Sequence, residues 1–253
     1  MLNMLKVISL LIITIASLFH PAISHADDAA PKGLTLTMGT SNGPPYMIQE
    51  TESGLDIDIP RAAMAKIGFP LRLEFYPLSR AIHELQMNRI HLTAPFFTSA
   101  PKGIFVSDPH IKYRPSVITL TTINDLQNIS ELNDYTIATF QGATGYFGDE
   151  FYNASKNAPD YVESHDMKKL VDLLMSERYQ VIVLDYWIFR FFLSKSKYAD
   201  QLNQVKFHEL LPRVPAAVAF NNEELRDKFN QGLRMIKEDG SYDEIINKYQ
   251  RNE

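Results

Sequence analysis

The chain has 253 residues, a formal net charge of −5 and no cysteine. Its hydrophobic content of 45% suits a folded globular chain rather than a disordered one. The acidic balance excludes the basic footprint that nucleic-acid phosphates require, and the lack of Cys excludes disulfides, a lipidated anchor and thiolate metal sites.

Met1–Lys6, the apolar run Val7–Phe19 and Ser24-His25-Ala26 follow the order of a secretory signal peptide, with cleavage expected after Ala26. The apolar run is shorter than the ~20 residues of a membrane-spanning helix. Removal of residues 1–26 takes away only Lys6 among the charged residues and leaves −6. The expected product is periplasmic, unanchored and monomeric, with a small molecule as its partner and an ABC permease or sensor downstream.

After a polar leader, Leu34–Met38 alternates like a strand and enters the turn-rich loop Gly39–Pro45. Gly54–Asp58 opens a helix with Ile59, Ala62, Ala63 and Ile67 on its apolar face, ended by Gly68. Leu71–Tyr76 reads as a strand. Ser79 offers an N-cap for a helix to about Asn88, and Ile90–Ala94 is the next strand. A second unit repeats the alternation: strand Tyr135–Phe140, the Gly-containing loop Gln141–Gly145, a helix capped by Asp166, and the fully apolar strand Val181–Leu184. Ala216–Phe220 is a last strand, followed by two helices, the second opening on the capping box Ser241–Glu244. Such alternation predicts an α/β protein with parallel strands. The extended stretches 113–121 and 211–220 join the two units, and a paired crossing makes a natural hinge. Lobe one is then expected to hold 34–115 plus 216–253, and lobe two 120–210.

Gly43-Pro-Pro-Tyr46, Gly54-Leu-Asp-Ile-Asp58 and Val106-Ser-Asp-Pro109 come first in order. Gln141-Gly-Ala-Thr144, Val181-Ile-Val-Leu-Asp185 and Asp239-Gly-Ser-Tyr-Asp-Glu-Ile245 follow. Taken together over nearly the whole mature chain, they resemble the family-3 extracellular solute-binding proteins, which bind polar amino acids for ABC importers. The resemblance implies a two-lobed type II periplasmic-binding fold, a hinge of two crossing strands and a ligand cleft between the lobes. Where that family carries an Arg for the ligand carboxylate, this chain reads Thr98-Ser-Ala-Pro-Lys-Gly103, with Lys102 the nearest cation. A Lys does not reproduce the bidentate guanidinium fork. The family's covering aromatic is also missing, because that loop reads Ser41-Asn42-Gly43.

Five residues are the candidate ligand contacts. Thr144, in a loop between strand and helix, suits an anion through its hydroxyl and the neighbouring N–H groups, or else belongs to an ordinary tight turn. Asp185 ends an apolar strand, where it either holds a ligand amine or caps the helix that follows. Arg80 would supply the missing cation or lie on the surface. Tyr46 and Phe96, with Phe97, would form an apolar wall or belong to the core. Asp56 and Asp58 read as helix caps. The histidines of the mature chain show no metal-ligand spacing, and no cofactor is implied. Gly39-Thr-Ser-Asn-Gly43 satisfies the G-x-S-x-G pattern, but Pro44-Pro45 keeps the chain from turning directly into a helix as a nucleophile elbow must. The expected ligand carries an amine or several donors, with any carboxylate held by backbone N–H groups and Arg80 or Lys102. A binding role is expected, without catalysis. The alternative is a periplasmic enzyme on the same scaffold, resembling cyclohexadienyl dehydratases, with Asp185 as its one acid–base candidate.

Overall fold

The computed structural model describes residues 34–97 and 100–251, and the predicted signal segment lies outside them. The chain forms two sheets with helices on their faces. Strand β1 (Leu36–Thr40), helix α1 (Leu55–Lys66), strand β2 (Leu71–Phe75), helix α2 (Leu78–Gln86) and strand β3 (Leu92–Phe96) make the first α/β run. β1 pairs in parallel with both β2 and β3, as the intervening helices require. β4 (Phe105–Val106) and β5 (Ile111–Tyr113) follow, and then β6 (Pro115–Leu120) starts the second lobe.

That lobe continues through β7 (Ile137–Phe140), α3 (Ala143–Tyr146), α4 (Gly148–Asn157), β8 (Tyr161–Ser164) and α5 (Lys168–Met175). β9 (Val181–Asp185), α6 (Tyr186–Ser194) and β10 (Val205–His208) complete it. The chain then returns as β11 (Val214–Phe220), α7 (Glu223–Glu238) and α8 (Ser241–Arg251). The sheets have the orders β2-β1-β3-β11-β4, with β5 also on β11, and β10-β6-β9-β7-β8. Parallel pairing holds for β7 with β8 and β9. It fails for β6 and β11, which are antiparallel to β9 and β3. These are the strands that enter one lobe from the other, so they arrive without a crossover helix to set them parallel.

The hinge is narrow. Only Arg114 separates β5, paired with β11 in the first sheet, from β6, paired with β9 in the second. The core follows strand periodicity. Along β9, Val181 and Val183 join one apolar cluster with Val117 and Ile137, while Ile182 and Leu184 join another with Ile118 and Ala138. A strand buried on both faces has no polar alternation to show, and each such fully buried aliphatic contributes roughly 1.5–3 kcal/mol.

Several sequence-based caps differ in the structure; at α8, Ser241 is already the first helical residue and its N–H donates to Asp239 Oδ1 at 2.9 Å, so no Ser241–Glu244 capping box opens that helix. Asp56 and Asp58 sit in the first turn of α1, where their charge suits the helix dipole, yet neither side chain caps it. Asp56 instead accepts from Tyr113 Oη and contacts His110 Nε2 at 2.7 Å; Asp58 holds Arg61, Lys248 and Tyr249. α2 starts at Leu78, with Pro77 rather than Ser79 at its N-cap position.

Gly54 and Gly232 are fixed by close approach. Gly54 has φ +133°, and a Cβ there would meet the Tyr46 carbonyl oxygen at 2.2 Å. At Gly232, a Cβ would lie 2.1 Å from Ala63 O, so α7 and α1 meet there with no side chain between them. Gly232→Ala must part these helices, and overpacking of this kind costs about 1–3 kcal/mol. Urea unfolding should show that loss with an unchanged slope.

Candidate functional site

Asp185 is the last residue of β9 and the N-cap of α6, at the carboxyl end of a central strand where open α/β sheets place their ligands. Its Oδ1 accepts from Trp187 N at 2.9 Å and Ile188 N at 3.3 Å, which satisfies two orphan donors of the helix. The same oxygen accepts from Tyr46 Oη at 2.9 Å, across the cleft from the first lobe. Its Oδ2 accepts from Arg114 N at 2.6 Å, in the hinge. One carboxylate thus ties together lobe one, hinge and lobe two.

The Tyr46 ring lies flat on Tyr113, with centroids 3.7 Å apart and 9° between planes. Tyr113 donates in turn to the buried Asp56. Burial and the neighbouring Asp185 charge hold the Tyr46 phenol well above its usual range; burial and Asp56 do the same for Tyr113. Both hydroxyls therefore act as donors at every physiological pH.

Between the lobes is a cavity of about 350 Å³. The first lobe contributes Ser41, Asn42, Pro44, Met47, Leu78 and Phe97, with Tyr46 behind them. The second contributes Phe140, Tyr146, Phe147, Met167, Ile188 and Phe192, with Asp185 at the base, and the hinge adds Tyr113 and Pro115. Ser41 and Asn42 belong to the loop carrying the G-x-S-x-G pattern, which bends back on itself through Gly43 N to Met47 O at 2.8 Å. Among the described residues, the wall holds no Lys, Arg or His.

Of the five candidate contacts, the structure brings Tyr46 and Asp185 together on this cavity. The other three lie off its wall. Phe96 is 3% exposed and packs into the lobe-one core with Leu85, Ile90 and Ile104. Because strand side chains alternate, it is the next residue, Phe97, that faces the cleft. Arg80 is exposed, 3.5 Å from Glu84 and over the Tyr76 ring. Lys102 is likewise exposed and off the wall.

Thr144 is occupied from within the protein. Its N and Oγ1 donate to Glu163 Oε1 at 3.4 and 3.3 Å, and Gly142 N donates to Oε2 at 2.8 Å. Tyr161 Oη adds a fourth donor at 2.7 Å. The Gly142 N–H, foremost among these donors, holds the Glu163 carboxyl below its usual range.

The aromatics of 140–147 and 186–192 were missed in the sequence, although Tyr186–Ser194 is apolar on nearly every face. A helix of that kind has two surfaces to cover. One of them is the cleft.

Burial raises the Asp185 pKa from 3.8 to about 6, against the pull of the N–H groups of Arg114, Ile188 and Trp187 and the Tyr46 hydroxyl. The folded state therefore holds the Asp185 proton more tightly than the unfolded chain. Its contribution to stability is greatest below pH ~4 and declines as pH rises through ~6, by about 3 kcal/mol in total. Asn at this position still caps a helix but does not titrate. The difference in unfolding free energy between wild type and Asp185→Asn should fall by about that amount between pH 4 and pH 7, as measured by urea titration.

A sequence model of the bacterial extracellular solute-binding proteins, family 3, matches residues 36–252. Among solved structures, the chain is similar to substrate-binding domain 2 of Lactococcus lactis GlnP in its open conformation. They share 18% identity and a TM-score of 0.67, over 87% of this chain and 97% of that one. It is also similar to the unliganded, open L-cystine solute receptor of Neisseria gonorrhoeae, at 19% identity and TM-score 0.67, over 85% of this chain and 92% of the other. A histidine kinase sensor domain similar to periplasmic binding proteins aligns at 16% identity and TM-score 0.63, over 85% and 95% of the two chains. The likeness of architecture agrees with the two lobes and crossing strands described above, and the family match runs through both: this chain belongs to the family-3 bacterial extracellular solute-binding proteins.

Proposed function

We infer that the chain is a periplasmic binding protein that holds one small amine or amino-acid-like solute between its lobes and hands it to an ABC permease or a sensor. The carrying observation is the interlobe cavity based on Asp185, whose partners come from lobe one, hinge and lobe two. A ligand there touches both lobes at once, so it stabilises their closed arrangement by its preference for that state. The solved relatives include arginine-bound and L-cystine-receptor structures, which supports a solute of that size.

Binding suits the site better than catalysis does. Asp185 is the one carboxylate on the described wall; three donors share its Oδ1 and Arg114 N takes a position on Oδ2. Acid–base turnover would rest on this single group, with no second carboxylate or His among the described wall residues to work with it. Incubation with prephenate or arogenate should give no product; turnover of either would establish the enzymatic alternative.

A thermal-shift screen of amines, amino acids, carboxylates and short sugars tests the reading directly, because a solute that binds the folded state alone raises its Tm. Ile188→Trp fills part of the cavity from α6. It should weaken any solute so found by tenfold or more, with the far-UV circular dichroism unchanged. Undiminished affinity in that variant would place the solute elsewhere on the molecule.

A further inference from the structure

We propose that the cleft takes an organic cation with an apolar body and no carboxylate, of the quaternary-ammonium class. The proposal rests on the solute-binding reading above and narrows its ligand.

Among the described residues, the wall carries one formal charge, and it is negative. A ligand carboxylate would enter a largely apolar cavity with no cation on its described wall, and an unpaired ion removed from water is costly. The nearest cradle of backbone donors lies between Phe140 and Tyr146, both of which face the cavity. Its Gly142 and Thr144 N–H groups and the Thr144 hydroxyl already hold Glu163. An incoming anion would have to displace an internal carboxylate that Tyr161 also fixes.

A cation meets the opposite situation. The Asp185 carboxylate and the rings of Tyr46, Phe97, Tyr113, Phe140, Tyr146 and Phe192 line the same cavity. Aromatic faces attract cations through their quadrupole, and most strongly where water is excluded. The donor count then selects among cations. A carboxylate has about four lone-pair positions, and Asp185 accepts from Tyr46, Trp187, Ile188 and Arg114. Three of those donors share Oδ1 and Arg114 N alone reaches Oδ2, so a primary ammonium would find about one acceptor position there for its three N–H groups. A quaternary ammonium has none to satisfy: it gains from the field and the rings alone.

Calorimetry and thermal shift with three probes of one shape test this. They are benzyltrimethylammonium, its neutral carbon isostere neopentylbenzene, and L-phenylalanine, which keeps the ring but replaces the quaternary head with a primary ammonium and a carboxylate. Benzyltrimethylammonium should bind at least tenfold more tightly than either of the others. Phe97 and Tyr146 are 38% and 45% exposed, so Phe97→Ala and Tyr146→Ala leave the core packed. Each should weaken the cation by about threefold or more. Asp185→Asn should weaken it by at least tenfold. L-phenylalanine or neopentylbenzene binding as tightly as the cation would overturn the proposal while leaving a solute-binding protein. So would a cation affinity untouched by all three substitutions. If neither these probes nor any amino acid, carboxylate or sugar raises the Tm, the solute-binding reading falls with it.

Discussion

The Asp185 carboxylate is the point at which the two lobes are joined. It is nearly buried, and burial alone would force it neutral; the donors from Tyr46, Arg114, Trp187 and Ile188 keep it partly ionised instead. The four donors come from three parts of the molecule. Trp187 and Ile188 start α6, Arg114 is the single residue between β5 and β6, and Tyr46 belongs to lobe one. Of these bonds, the one to Tyr46 crosses the cleft, whereas the capping bonds lie within the second lobe and the Arg114 bond lies at the crossing strand.

The hinge carries a second set of restraints around Arg114. Its carbonyl accepts from Tyr186 N at 2.9 Å, and its guanidinium lies 4.2 Å over the Tyr186 ring while pairing with Glu209. Next to it, Tyr113 stacks on Tyr46 and donates to Asp56, and Asp56 meets His110 in a fully buried pair. Within this buried polar chain Asp185, Tyr46, Tyr113 and Asp56 hold one another, while His110 Nδ1 and Arg114 Nε have no hydrogen-bond partner among the described residues. It runs from the first turn of α1 past the crossing strand to the cleft.

The fold could be read in the chain because its strands and helices announce themselves by period. Val181–Leu184 is apolar throughout and is a central strand, and the order of the six motifs pointed to two lobes. Strand direction was less legible: parallel pairing follows from crossover helices, and nothing local marks β6 and β11 as strands that arrive from the other lobe. At the site, Tyr46 and Asp185 were visible as residues, but their bond spans 139 positions of sequence. Residue type offers Phe96 and Phe97 alike for the cleft wall, whereas alternation lets only one of two neighbours face it. Asp56 was read as a cap, and became a long-range acceptor because Gly54 brings the start of α1 under Tyr46. The Thr144 loop reads in sequence as a set of donors for a ligand anion or as a tight turn, and its donors here go to Glu163. Its acceptor, Glu163, lay in a strand that the alternation of elements had not marked.

Glu163 also explains how a chain of this family can do without an arginine at its cleft. A loop of free N–H groups at the edge of an apolar cavity needs an anion, and when the ligand brings one, a cation elsewhere completes the charge balance. Here the anion is covalently part of the protein, four donors satisfy it, and its charge is held at the loop rather than in the cavity. An arginine on the wall would then have no ligand carboxylate to meet and would neutralise Asp185 instead. Its replacement by Ala100-Pro101-Lys102-Gly103, with the lysine turned to solvent, leaves the Asp185 charge unopposed from the cavity side. The missing arginine and the filled donor loop thus belong together: the loop's donors are met by Glu163, and Asp185 is the charged group on the described wall.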